Sequence, residues 1–267
     1  MAKKVVSGSV TEISKWLFGL LALLYCSTPA FSQLRVRSFG DDHSGQLGLG
    51  RILQSWLPFR STGLNGVAFT AGGDHHSLAA RSDGTVWAWG LNTQGQLGNG
   101  TNTESSAPVQ VSGIIRAVSI AAGMSHSLAA RSDGTVWAWG DNTWGQLGNG
   151  TNIASNAPVQ VSGLSNIVAV AASYLHSLAL GSDGTVWAWG FGLNGELGNG
   201  GMVNRNAPVQ VRGLTNVVSV AAGSAHCVAV TNDGTVWAWG SGAVGQFGDW
   251  RGGGICHRPA RIPPHSR

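Results

Sequence analysis

The chain is poor in charge. Only 10% of its 267 residues are Asp, Glu, Lys or Arg. Lysine is confined to Lys3, Lys4 and Lys15, so no phosphate-binding loop of the Gly-Lys type exists and no lysine-rich stripe offers itself to nucleic acid. Cysteine is scarce, with Cys26, Cys227 and Cys256 the full set; two or three cysteines do not establish a disulfide framework. Long hydrophobic runs are missing too. The longest is "WLFGLLALLY" at 16–25, too short for an ordinary membrane-spanning helix. No 3.6-residue apolar period appears, and 41 glycines argue against a mostly helical protein. Disorder is excluded by the opposite excess, 43% hydrophobic residues with 12 tryptophans.

The first 32 residues stand apart. Basic residues, then the apolar run, then "CSTPAFSQ" with Ala30 and Ser32 around Phe31, read as a secretory signal peptide with cleavage after Ser32. An uncleaved anchor is the alternative. A lipid anchor on Cys26 is disfavoured because Tyr25 is bulky where lipoprotein signals carry a small residue. Removing 1–32 leaves 13 arginines against 11 acidic residues, a formal net charge of +2, which gives little support for nucleic-acid binding. The expectation is a secreted or periplasmic chain, off the membrane after cleavage, with an export route that permits but does not prove pairing of Cys227 with Cys256. Cys227 stands where other repeats have Ser and reads as a small buried filler.

What is there is repetition. "RSDGTVWAWG" occurs at 81–90 and 131–140, "GSDGTVWAWG" at 181–190 and "TNDGTVWAWG" at 231–240, a period of 50 residues. "APVQVSG" begins at 107 and 157, "APVQVRG" at 207 and a worn "LPFRSTG" at 57; "GQLGNG" and its variants stand at 45–50, 95–100, 145–150, 195–200 and 245–250. Periods of this size mean solenoids, propellers or arrays. Each unit reads as four short strands. "PVQV" comes first, then a run such as "IVAVAA", then "HSLAA". An Asp-Gly hairpin turn of type I′ leads into "TVWAWG". The expected class is all-β, a β-propeller of four-stranded blades of about 50 residues. Complete strand sets lie at 57–90, 107–140, 157–190 and 207–240. The pairs Trp87 and Trp89, Trp137 and Trp139, Trp187 and Trp189, and Trp237 and Trp239 lie two apart, so each pair faces one side of its strand and is expected to pack on the neighbouring blade.

The words A-A-G-x-x-H-S-L-A, D-G-T-V-W-A-W-G and G-Q-L-G-N-G resemble the regulator-of-chromosome-condensation (RCC-like) repeat family, and the leader suggests its secreted bacterial type. The resemblance covers about 34–262 and implies a propeller, usually of seven blades, closed by strands from both termini. The repeat domain is expected over 33–267. Here "LRVRSFG" (34–40) aligns with the "TVWAWG" strand and "RPARI" (258–262) with "APVQV", so the chain offers four full blades and part of another. Three readings stay open: a piece of a longer gene, a small irregular ring, or two chains that complete each other.

His76, His126, His176 and His226 recur at one place in the period. Four histidines around a ring suggest a central metal. Identical repetition is instead what a structural role predicts, each ring bonding backbone near a turn, so neither metal nor cofactor is expected. Asp83, Asp133, Asp183 and Asp233 recur in turns. Ser77, Ser127 and Ser177 follow the histidines directly, so on a strand they point away from them and form no nucleophile–base pair. What differs between repeats is the loop after "WAWG", the loop after "GNG" and the residues before each histidine. These carry Trp144, Tyr174, Phe191, Arg205 and Trp250, residue types of interface hot spots.

The function expected is therefore a secreted, non-catalytic binding module that presents variable loops to an extracellular or envelope protein or glycan. The resemblance implies protein binding, since secreted relatives include a propeller that inhibits a β-lactamase. It also supplies an alternative, guanine-nucleotide exchange as in the eukaryotic founder. The Gly-Trp-Arg-His-Thr word of the plant ultraviolet-sensing relatives is replaced here by "GMSHS" (123–127) and "GSAHC" (223–227). A glycan-active enzyme is the third reading; it needs a unique acid and base, for which Glu104 and Glu196 are the only non-recurrent loop glutamates.

Overall fold

The structure, a computed structural model, describes residues 36–40, 42–50, 55–61, 63–247 and 254–262. The proposed leader, its cleavage site and Trp250 lie outside them. All regular structure among the described residues is β.

Four antiparallel sheets of four strands follow one another along the chain. The first contains β3 (Val67–Gly72), β4 (His76–Arg81), β5 (Val86–Gly90) and β6 (Ser105–Gln110). The second contains β7 (Ala117–Ala122), β8 (His126–Arg131), β9 (Val136–Gly140) and β10 (Ser155–Gln160). The third contains β11 (Ile167–Ala172), β12 (His176–Gly181), β13 (Val186–Gly190) and β14 (Arg205–Gln210). The fourth contains β15 (Val217–Ala222), β16 (His226–Thr231), β17 (Val236–Ser241) and β18 (Ile255–Arg261). Ahead of them β1 (Arg37–Gly40) pairs with β2 (Ser55–Arg60) in a two-stranded sheet. First strands of successive sheets touch, β3 with β7, β7 with β11 and β11 with β15. The first strands therefore form the inner ring and the fourth strands the outer rim.

This arrangement corrects the expected phase of the blade. The "PVQV" strand is the last of its sheet, hydrogen-bonded to the preceding "VWAWG" strand, as in the pairs Ala88 with Val109 and Ala138 with Val159. The linker 111–116 looks like a hairpin because it is short. It is instead tied back to its own blade, Val111 N donating to Val86 O and Ser112 N to Gly98 O, and it carries the chain from rim to inner ring. The leftovers are reassigned accordingly. "RPARI" completes the fourth blade by pairing Ala260 with Ala238, while the described end of "LRVRSFG", Arg37–Gly40, pairs with Ser55–Arg60; among the described residues the two share no sheet.

The Asp-Gly turn also differs from expectation. Gly84 N donates to Arg81 O and Arg81 N to Thr85 O, with Gly84 at φ 78°. Asp83 is not among the positive-φ residues. This is a type I turn followed by a left-handed glycine, fixed by Asp83 Oδ1 accepting from the backbone N and hydroxyl of Thr85.

Blades join by packing second tryptophans into the sheet before. Trp139 lies fully buried among Leu78, Ala80, Val86 and Leu97, and Trp189 among Leu128, Ala130, Val136 and Leu147. Each such ring removes roughly 150–250 Å² from water.

Candidate binding face

Because strands alternate in direction, the loops between first and second strands share one face of the propeller with the loops between third and fourth. All three variable patches lie on this face. The repeated aspartate turns and the rim-to-ring linkers lie on the other.

The face stands on a hydrogen-bond lattice that repeats at each blade junction. The carbonyl of Gln96 accepts the indole N–H of Trp139 (2.8 Å) and the hydroxyl of Ser127 (2.9 Å). Gln146 does the same for Trp189 and Ser177, and Gln46 for Trp89 and Ser77. Ser127 Oγ spends its proton on Gln96, so its contact with His76 Nε2 at 2.8 Å is a bond donated by the imidazole. His126 Nε2 donates likewise to Ser177 at 3.0 Å, and His176 Nε2 to Cys227 Sγ at 3.0 Å. The expectation that each histidine bonds backbone near a turn is thus corrected: Nε2 reaches a side chain of the next blade. Strand alternation makes this possible, since the histidine faces forward and the adjacent serine backward.

Burial, opposed only in part by the Asp141 carboxylate at His126, holds these rings neutral. It lowers His76 to about 3, His126 to about 4 and His176 to about 3. His76 Nδ1 and His126 Nδ1 have no partner. In the third blade Ser173 replaces the glycine found at 73 and 123 and offers its hydroxyl to His176 Nδ1 at 2.6 Å. Burial, then the carboxylate of Glu196, pushes the Cys227 thiol well up, so the sulfur is a packed thiol. Among the described residues no three metal-ligating side chains converge.

The long outer loops are built on asparagine pins. Asn92 accepts from Leu97 N and donates to the carbonyls of Thr101 and Thr103; Asn142 repeats this with Leu147, Thr151 and Ile153. Neighbouring loops join through Asn102 with Asn156 and Asn152 with Asn206. In the third blade the pin is Gly192. Its N–H is held by Asn204 Oδ1 and its carbonyl accepts from Gly195 N, and the loop settles over it so closely that a Cβ there meets Val203 O at 2.6 Å.

This rebuilt loop gathers apolar surface. Leu193, Met202 and Val203 are 42%, 45% and 53% exposed, with Ile153 at 74% and Tyr174 at 44%. Trp144 from the second blade meets Phe191 from the third edge to face, centroids 5.3 Å apart at 86°. Tyr174 lies at a depression of about 430 Å³ with Asp74, Ser173 and Ser224, formed by the inner loops of all four blades. Arg205 is exposed at the start of β14. Of the residues singled out from sequence, Trp144 and Phe191 are in contact and Tyr174 and Arg205 share their face. Leu193, Met202, Val203 and Ile153 were missed as individuals, although the change from "TNTESS" to "GMVNRN" marked their loop. The two loop glutamates do not come together as an acid–base pair. Glu104 is exposed in the first blade, whereas Glu196 is buried in the third with its carboxylate held by Asn194 N and Nδ2.

A family profile described as an RCC1-like domain matches residues 25–266. No curated protein sequence matches the chain. Among solved structures, human WBSCR16 is similar with a TM-score of 0.77 and 26% identity, over 86% of this chain and 63% of that one. Prp20p from Saccharomyces cerevisiae is similar with a TM-score of 0.74 and 27% identity, over 88% of this chain and 60% of that one. The chain thus spans about three-fifths of the length of these two proteins.

Proposed function

The chain belongs to the RCC1-like domain family, and from that premise we propose that it is a secreted, non-catalytic binding module whose variable-loop face grips a partner protein. The single observation that carries this reading is the third-blade loop. It has given up the asparagine pin of its neighbours and set Leu193, Met202 and Val203 in solvent on the face that also carries Tyr174 and the Trp144–Phe191 pair. Exposed apolar and aromatic groups on a rigid scaffold are the anchors of protein interfaces. The similar Prp20p is described for its binding to Gsp1p and histones, which supports a protein over a glycan as partner; guanine-nucleotide exchange, which the family resemblance implies, is the second reading. The leader supports export, and so a partner outside the cytosol.

The test expresses the full chain in its own export pathway. Intact mass of the released species is expected to begin at Gln33. Cross-linking through a photoreactive residue at Val203 is expected to trap one protein, and the double variant Met202→Ser with Tyr174→Ala to lose it while the fold stays intact. A chain retained in the cytosol, or capture that ignores both substitutions, defeats the proposal.

A further inference from the structure

The opposite face carries a different irregularity. In the first two blades an arginine follows the "HSLAA" strand and folds back over the aspartate turn. Arg81 Nη1 pairs with Asp83 Oδ2 at 3.2 Å, and its Nε donates to Asn65 O at 3.0 Å. Arg131 Nη2 pairs with Asp133 Oδ2 at 3.3 Å while its guanidinium stands 5.8 Å over the ring of Trp137. In the first blade a carboxylate and a linker carbonyl hold the guanidinium, in the second a carboxylate and a tryptophan face; these three groups define a seat for a guanidinium.

The third blade keeps the seat and lacks the occupant. Residue 181 is Gly. Asp183 remains in its turn, holding Thr185 by N–H and hydroxyl, and among the described residues it has no cationic partner. Trp187 remains half-buried, its indole N–H tied to Thr185. A cavity of about 340 Å³ opens there, lined by Trp187, Asp183, Asn166, Gln210 and by Ser165 at the place of Asn65. In the fourth blade Thr231 takes this place and puts its hydroxyl on Asp233 Oδ1 at 2.6 Å. Glycine stands at this place in the third blade alone.

We propose that the cavity at Trp187 is a guanidinium-binding site that takes an arginine side chain from a partner polypeptide. The incoming guanidinium lies on the indole and pairs with Asp183, as Arg131 does on Trp137 and Asp133, and the Ser165 carbonyl stands where Arg81 finds Asn65. Lysine fits less well, since an ammonium offers neither the planar stack nor the fork. The site faces away from the variable loops and is independent of the reading given to them.

Calorimetric titration of the full chain tests this. Nα-acetyl-argininamide is expected to bind with a dissociation constant on the order of 1 mM, and Nα-acetyl-lysinamide at least about fivefold more weakly. Gly181→Arg supplies the occupant from within and is expected to abolish binding while keeping the melting temperature. An added Cβ at 181 comes within 3 Å of side-chain atoms alone, Asp183 Oδ1 (2.6 Å) and Thr185 Oγ1 (2.8 Å), with the Thr185 carbonyl at an ordinary 3.5 Å, and the same turn accommodates Arg81 and Arg131. Asp183→Asn keeps an acceptor for Thr185 and is expected to weaken binding about tenfold. A Gly-Arg-Gly amide that binds more tightly than methylguanidinium supports a polypeptide source; equal binding overturns that part and leaves a free guanidinium compound. No saturable binding of the arginine probe, affinity unchanged in both variants, or binding of a simple sugar in its place overturns the site.

Discussion

At the scale of single residues, the buried histidines and one arginine carry the sharpest consequences. His76, His126 and His176 are neutral in the folded chain, with pKa values lowered by burial to about 3, 4 and 3 from 6.5. An unfolded chain takes up protons below pH 6.5 that the folded one refuses, so stability is complete above that pH and is lost progressively as pH falls from 6.5 toward 3 to 4. The slope reaches about 1.4 kcal/mol per pH unit for each ring once the unfolded histidine is fully charged. Thermal unfolding followed between pH 7 and 4.5 should show this decline, and His126→Gln should flatten it; an unchanged slope in that variant removes His126 as a cause. Arg116 is the second case. It holds φ 57° where the other blades place Gly66, Asn166 and Asn216 at 64°, 56° and 55°. Its side chain is exposed, so Arg116→Asn removes strain and little else. The expected gain is about 0.5 kcal/mol, read as a slightly higher melting temperature.

At the scale of the element, the junction between blades is the unit of stability. At the first two such junctions one indole and one hydroxyl converge on a loop carbonyl of the preceding blade while that blade's imidazole bonds the hydroxyl; at the third the Cys227 thiol replaces the hydroxyl. Ser127→Ala strips the acceptor from His76 Nε2 and leaves a buried N–H unpaired, at a cost of about 2 kcal/mol. Ser127→Cys should cost well under that, because the third junction already runs on Cys227. Urea denaturation of the two variants separates a lost hydrogen bond from a lost volume. The outer loops obey the same logic. Gly192→Asn restores the pin residue but drives its side chain into Val203 O and Leu197, so it should reshape the third loop and reduce partner capture without unfolding the blade.

At the scale of the whole molecule, the last sheet presents a face that the other sheets bury. Val236 is 37% exposed, whereas Val86 and Val136 are fully covered; His226 heads the same sheet. An open apolar face of this kind associates. Sedimentation of the 33–267 polypeptide at micromolar concentration should reveal species heavier than a monomer, and Val236→Lys should shift them toward the monomer. A monomer in both cases shows that the face is tolerated in water.

Much of this was legible without coordinates. The strands, their length and their order along the chain follow from local chemistry: β-branched and tryptophan-rich runs, punctuated by Asp-Gly and Gly-rich words that stop strands wherever they occur. Repetition at 50 residues then dictates a propeller, because a single blade cannot bury its own tryptophan face. The phase of the blade was not legible, since a period has no preferred place to be cut and pairing across the sheet decides it. Nor was the route of the histidine bond, whose acceptor lies 51 residues away. The meeting of Trp144 with Phe191 and the empty seat over Trp187 belong to the same class. Each is produced by residues of different repeats, or by the loss of one side chain against a constant background. The sequence determines what every blade is made of; only the stacking of blades decides which of their differences face one another.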